Sequence, residues 1–208
     1  MSVKEAVDAL RRDLIQEDGP QISTMRNFRF AILQYLPTEE FKLREEIQRL
    51  SEELKANGWM VLALDLHAML LERLRAQPDD WVERVIRREK LLSSSKSPEH
   101  GLNELRERLR PQIEGPNGLA KDCSKCISEF INDHQDIPDF QDRTLVLLGR
   151  AGALHPFLRP GNLLRHLDGH TNGVPVILLY PGEREGQTGL KFMGIDEPDN
   201  DYRPRIYS

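Results

Sequence analysis

The sequence is poor in the features that usually announce a chemistry. Only 2 of its 208 residues are cysteine, so a disulfide framework is not expected. No apolar run approaches the ~18 residues that a membrane-spanning helix needs. Basic residues are not in excess: 29 Lys and Arg stand against 34 Asp and Glu, a formal net charge of −5. That balance argues against a general nucleic-acid binder, which neutralises phosphates with surplus positive charge. The opening segment MSVKEAVDALRRDLIQEDG interleaves charge with aliphatics and has no signal-peptide core, so the cytoplasm is the expected location.

The motif vocabulary is equally sparse. The phosphate-loop pattern GxxxxGK[ST] is absent, and so is the dinucleotide fingerprint GxGxxG; Gly149-Arg-Ala-Gly152 matches neither. The turn after the first strand-like segment, Leu36-Pro37-Thr38-Glu39-Glu40, carries two carboxylates and no lysine, which would repel a triphosphate. There is no GxSxG elbow for a nucleophilic serine. Cys123-x-x-Cys126 is half of a zinc site at most, with His134 beyond it. On a helix the two thiols share one face, and packing explains them more simply than redox chemistry. His166 and His170 have the spacing of two ligands on a helix, but Gly169 ends that helix and no glutamate stands where a hydrolase would place its base.

What is present is 38 % hydrophobic residues in regular patterns, enough for a buried core in a chain with mean hydropathy −0.55. Apolar spacing of three and four predicts a helix from Val3 to Glu17. Phe28–Tyr35 reads as a strand, Thr38 begins a helix that ends at Asn57-Gly58, and Trp59–Asp65 reads as a second strand, which together make a βαβ unit. From about 66 to 134 the pattern is helical: Leu66–Leu74, a segment around Trp81–Leu91, His100–Ile113 and Leu119–Asn132. Ser93-Ser-Ser-Lys-Ser-Pro98 is expected to be a polar, flexible loop. Thr144–Leu148 and Val174–Tyr180 then read as buried strands, with a helix near Asn162–Leu167 between them. Leu190–Met193 and Arg203–Tyr207 read as a closing pair of short edge strands, Pro204 suiting an edge.

The expected fold is therefore one α/β domain over 1–208. Its central sheet is mainly parallel and flanked by helices, resembling a nucleotide-binding core without a phosphate loop, with a helical insertion at about 66–134. In such a sheet polar side chains gather at the strand ends. That directs attention to Arg150, His155, Arg159, Arg165 and His166, with Arg203 and Arg205 at an edge. Asp196 and Asp199 are the carboxylates expected to pair with such arginines. Arg84, Arg87 and Arg88, on one helix near Trp81, form a possible basic surface, and Arg106, Arg108 and Arg110 a second run. Direct DNA binding would use these helices, against the acidic balance of the whole chain.

The segments in the last third also resemble a known family. Gly149-Arg-Ala-Gly152, His155-Pro-Phe-Leu-Arg159, Asn162-Leu-Leu-Arg-His-Leu167 and Val174-Pro-Val-Ile-Leu-Leu-Tyr-Pro-Gly182, followed by Leu190-Lys-Phe-Met-Gly194 and Asn200-Asp-Tyr-Arg203, look like the core of the BrxB family. Its members are small proteins of BREX bacteriophage-exclusion gene clusters. Phe28-Arg-Phe-Ala-Ile, Pro37 and Arg44-Glu-Glu extend the likeness to the front half. The chain departs from the pattern at Arg159-Pro-Gly-Asn162 and at Asp201-Tyr202. The resemblance implies a non-catalytic defence component, an interaction subunit that contacts the PglZ-type protein of the system or other BREX components, while the residues themselves imply no cofactor, metal or membrane. It makes Arg150, His155, Arg159, Asn162, Tyr202 and Arg203 the expected partner surface. The other expectation is an enzyme or an anion- or nucleotide-binding protein that uses the strand-end pocket near Arg150, His155 and Arg159.

Overall fold

In a computed structural model, residues 2–22, 29–115, 117–134, 136–186, 189–199 and 204–208 are described. Helix α1 (Val3–Leu14) starts at a capping box: the Ser2 hydroxyl accepts from the Glu5 amide while the Glu5 carboxylate accepts from the Ser2 amide. Strand β1 (Phe30–Tyr35) follows. The chain then makes a 3-10 turn at Pro37–Glu39 and enters α2 (Glu40–Ala56), which stops at Asn57 and the left-handed Gly58, φ 80°. Strand β2 (Met60–Asp65) runs straight into α3 (Leu66–Arg75), because the Asp65 carboxylate caps the new helix by accepting from the Ala68 amide at 2.9 Å.

Three further helices precede the next strand: α4 (Trp81–Ser95), α5 (Pro98–Ile113) and α6 (Leu119–Asn132). The serine segment is not the loop its composition suggests. Ser93 bonds the Glu89 carboxylate, and Ser94 and Ser95 bond the carbonyls of Lys90 and Leu91, so all three complete the last turn of α4. Ser97 then caps α5, so only Lys96 and Ser97 separate the two helices. They pack closely because Gly101 faces Ser93: a Cβ at Gly101 would stand 1.9 Å from the Ser93 hydroxyl.

Strands β3 (Thr144–Gly149), β4 (Val176–Glu185), β5 (Gly189–Phe192) and β6 (Arg205–Tyr207) complete the sheet, with α7 (Pro160–Leu167) between β3 and β4. The strand order is β2-β3-β4-β1-β6, every neighbour parallel, and β5 pairs antiparallel with β4. The fold is thus α/β with a mainly parallel sheet. Two strand readings need correction. β4 continues through Pro181-Gly182 to Glu185, because its second half forms a hairpin with β5. The short strands are not a pair: β5 belongs to β4, and β6 lies beside β1. The Phe28 end of the first predicted strand lies outside the described residues.

The connections alternate in direction. β1 to β2 crosses the sheet one way and β2 to β3 to β4 returns, so right-handed crossovers place helices on both faces. One face packs α1 and α2 on Ala31, Leu33, Leu145, Leu147 and Ile177. The other packs α3, α5, α6 and α7 on Ile32, Val146, Leu148, Leu178 and Tyr180. No helix among the described residues is long and apolar enough to cross a membrane.

Two buried tyrosines hold the rim of the first face. The Tyr35 hydroxyl donates to Glu40, and the Tyr207 hydroxyl donates to Asp13 at 2.8 Å, where Arg205 also pairs at 2.8 Å. Burial first, and then these carboxylates, push both phenols well above their ordinary value near 10. The unfolded tyrosines ionise at about pH 10 while the folded ones keep their protons. Stability is therefore full below that pH and falls above it by about 1.4 kcal/mol per pH unit for each tyrosine. Urea midpoints measured between pH 9 and pH 11.5 should drop steeply, and Tyr207→Phe should remove one of the two increments.

Candidate functional site

In a doubly wound sheet, ligands bind beyond the carboxyl ends of the strands, where the connections diverge to opposite faces. Here that place lies between β1, which leads to α2, and β3 and β4. The chain covers it with its own hairpin. β4 leaves the parallel sheet at Pro181, and the Gln34 side-chain amide donates to the Gly182 carbonyl at 2.5 Å. Past β5, Met193 donates its amide to the Pro181 carbonyl at 2.8 Å. Its sulfur and the Pro181 ring would both stand 3.0 Å from a Cβ at Gly152. In the Gly149–Gly152 turn, which a phosphate would approach in a nucleotide-binding relative of this fold, Gly152 is therefore packed against Met193 and Pro181, while Gly149 and Arg150 stay half-exposed. Gly182 permits the change of partner, since a Cβ there would lie 2.2 Å from the Lys191 carbonyl.

Among the described strand-end residues, Arg150 lies on the β1 side, and His155 lies on the side of Asp196, which lines a cleft with Arg159. Arg150 holds a left-handed conformation, φ 62°, at the end of β3 and is half-buried. Its charge acts on Tyr35, beside the Tyr35–Glu40–Arg44 chain of hydrogen bonds. His155 faces the other way: its Nε2 lies 3.1 Å from Asp196 and its ring stands against Phe192, 5.9 Å between centroids. Asp196 thus pairs with a histidine where the sequence suggested an arginine, and Arg205 pairs with Asp13. Arg159 is exposed and makes no ion pair among the described residues. Asn162 is half-buried in the first turn of α7, and Arg165 is exposed in the last. Tyr202 and Arg203 lie outside the described residues.

Arg159 opens onto a cleft of about 810 Å³. One side is formed by Arg106 and Arg110 of α5, another by Asp196 to Asp199 after β5, and Phe157, Tyr180 and Phe192 supply apolar surface. Arg106 and Arg110 were legible only as part of a charged helix. Their i, i+4 spacing puts both on one side of α5, while Arg108 turns away to pair with Glu104 at 3.0 Å. The cleft is mixed in charge, because Glu114, Glu197 and Asp199 also line it.

The possible basic surface on α4 is largely compensated. Arg84 pairs with Asp80 at 2.8 Å and Arg88 approaches Glu104 at 3.8 Å; Arg87 is exposed. His170 is turned back on the Asp168 carbonyl, and among the described residues no cluster of three His, Cys, Asp or Glu side chains could hold a metal.

Cys123 and Cys126 are free thiols on α6. Cys123 is fully buried against the second core face, and burial, with the neighbouring thiol and Asp122, pushes its thiol up to about 12. Burial raises Cys126 as well. Both are therefore protonated at neutral pH and weakly nucleophilic. At pH 7.5 iodoacetamide should label Cys126 slowly and Cys123 only on unfolding, as peptide mass spectrometry would show. Cys123→Ala should cost ~1–2 kcal/mol of stability, measurable by urea titration.

Fold and site together define a class: a doubly wound α/β protein whose strand ends are closed by its own hairpin, with a mixed-charge cleft alongside. Comparison with known proteins makes the assignment specific. Residues 62–206 match the family described as BREX protein BrxB, and the chain belongs to that family. It is 27 % identical over 175 residues to the BREX protein BrxB of Bacillus cereus (strain H3081.97), covering 84 % of this chain and 80 % of that one. No solved structure matches at a significant level. Membership makes the chain a component of a BREX system and places it in antiviral defence.

Proposed function

We propose that the chain is a non-catalytic interaction subunit of its BREX system and that it docks the PglZ-type protein. The observation that carries this reading is the closed strand end. Where this class of sheet normally opens to a small ligand, Met193 and Pro181 are packed on Gly152, and the turn after β1 presents Glu39 and Glu40. A subunit that works by contact needs exposed, anchored groups instead. Arg159 supplies one: it stands between the buried Leu158 and Pro160, so its backbone is fixed while its guanidinium is accessible. An exposed arginine on a rigid segment, beside apolar surface, suits a protein interface.

The test is capture from cells that express the neighbouring BREX genes. The tagged chain should retain the PglZ-type protein, and Arg159→Glu should weaken retention by about tenfold, as loss of ~1.4 kcal/mol at an anchor would. Its melting temperature should stay unchanged, because the side chain is exposed. Equal retention by wild type and Arg159→Glu would remove this residue from the interface. A thermal-shift series with nucleotides and Mg²⁺ addresses the catalytic status: no saturable stabilisation is expected, and a clear one would favour a nucleotide-using protein instead.

A further inference from the structure

The two edges of the sheet are built differently. At one edge β6 is three residues long, follows Pro204, carries Arg205 and is tied to α1 through Asp13. Those are ordinary ways of keeping an edge from pairing with another chain. At the other edge β2 has the sequence Met-Val-Leu-Ala-Leu before Asp65, with no charge, proline or glycine. Among the described residues it pairs only with β3. Met60, Val61 and Leu62 are half-exposed, and Ala63 is exposed. An apolar, regular, unprotected edge is a template for a further strand.

The register shows which groups are available. The Met60 amide donates at 2.8 Å to the carbonyl of Arg143, the residue just before β3. The backbone groups of Met60, Leu62 and Leu64 therefore point inward, and those of Val61 and Ala63 point away from the sheet. We propose that β2 is a self-association edge, on which a second copy of this chain adds its own β2 antiparallel about a twofold axis through Leu62.

Three observations favour a second copy as the occupant. A twofold axis makes like strands run antiparallel, and an axis at Leu62 sets Val61 opposite Ala63 of the second copy. Both have outward backbone groups, so each of the two such pairs exchanges two hydrogen bonds. The strand is uncharged from Trp59 to Leu64, so self-pairing brings no like charges together along its length. The ends are complementary. Arg143 is exposed, has no ion pair among the described residues, and carries its guanidinium beside Gly58, with Nη1 3.6 Å from where a Cβ would stand. The same register puts residue 58 opposite residue 66 of the second copy, next to its exposed Asp65. The symmetry produces this Arg143–Asp65 proximity twice.

The test is the mass of the purified full chain by sedimentation equilibrium across the micromolar range, with amide exchange of the 59–65 peptide. A concentration-dependent dimer is expected, with the Val61 and Ala63 amides protected as it forms. Ala63→Lys, at an exposed position, and Arg143→Glu, which faces Asp65 of the second copy, should each weaken the dimer by about tenfold or more, since each change acts twice. Both should melt as wild type at low concentration. A chain that stays monomeric at about 50 µM overturns the proposal, as does a dimer that survives both substitutions. If Ala63→Lys abolishes capture of the PglZ-type protein while the wild type is monomeric, the edge belongs to that partner and the self-association is wrong. If the variant is monomeric and still captures it, this edge and the docking surface at Arg159 are separate, and each reading stands or falls alone.

Discussion

The structure depends on one strand changing partners. From Val176 to Tyr180, β4 is an interior parallel strand with β3 on one side and β1 on the other. From Gly182 onward it is one arm of an antiparallel hairpin with β5. The crossing point tolerates no side chain at Gly182, which is pressed between the Lys191 carbonyl and the Tyr180 ring. Everything at the carboxyl end of the sheet follows from this switch. It sets Met193 over Gly152, brings Phe192 against both His155 and Tyr180, and leads the chain to Asp196, which holds the histidine. A parallel strand that stopped at Tyr180 would leave the strand ends open.

The switch also accounts for the relation between fold and function. The layout is that of folds that bind nucleotides, and such a likeness carries no activity by itself. The chemistry at the strand ends decides, and here it includes Met193 and Pro181 packed on Gly152, with Arg150 and the Glu40 carboxylate on the β1 side. What remains accessible lies to one side of the sheet, where Arg159, Arg106 and Arg110 face a cleft also lined by acids. Three arginines thus share one cleft with four acidic residues, Glu114, Asp196, Glu197 and Asp199.

Much of the fold was legible because the buried strands are short apolar runs bounded by punctuation. Thr144–Leu148 is buried throughout, and α2 ends at Asn57-Gly58 as its sequence indicates. Failures occurred where local composition and tertiary context disagree. Three serines read as a loop because they favour turns, yet each found a partner one helical turn back. The extension of β4 past Pro181 ran against the tendency of Pro-Gly to end a strand, and only the pairing with β5 overrides it. The site was harder still. Arg150, His155 and Arg159 lie within ten residues of one another in sequence, but a left-handed residue and a 3-10 turn separate Arg150, beside Tyr35, from the His155–Asp196 pair and the Arg159 cleft. Arg106 and Arg110 join Arg159 from a helix far away in sequence, and nothing local in the chain signals that meeting.

The strand order has a consequence for how the protein is made. β1 lies between β4 and β6, so Phe30-Ala-Ile-Leu33 takes its neighbours from Val176–Leu179 on one side and from Arg205–Tyr207 on the other. During synthesis this apolar strand leaves the ribosome early, and both of its edges stay open while the four helices α3–α6 and the strands β2 and β3 are produced. Its pairings are the most distant in the chain, which slows folding and prolongs exposure of a sticky segment. α1 and α2, its neighbours before and after in sequence, pack on one of its faces. The helical face built on Leu10, Leu14, Leu43 and Leu50 is therefore the part of its native surroundings that lies nearest to it in the chain.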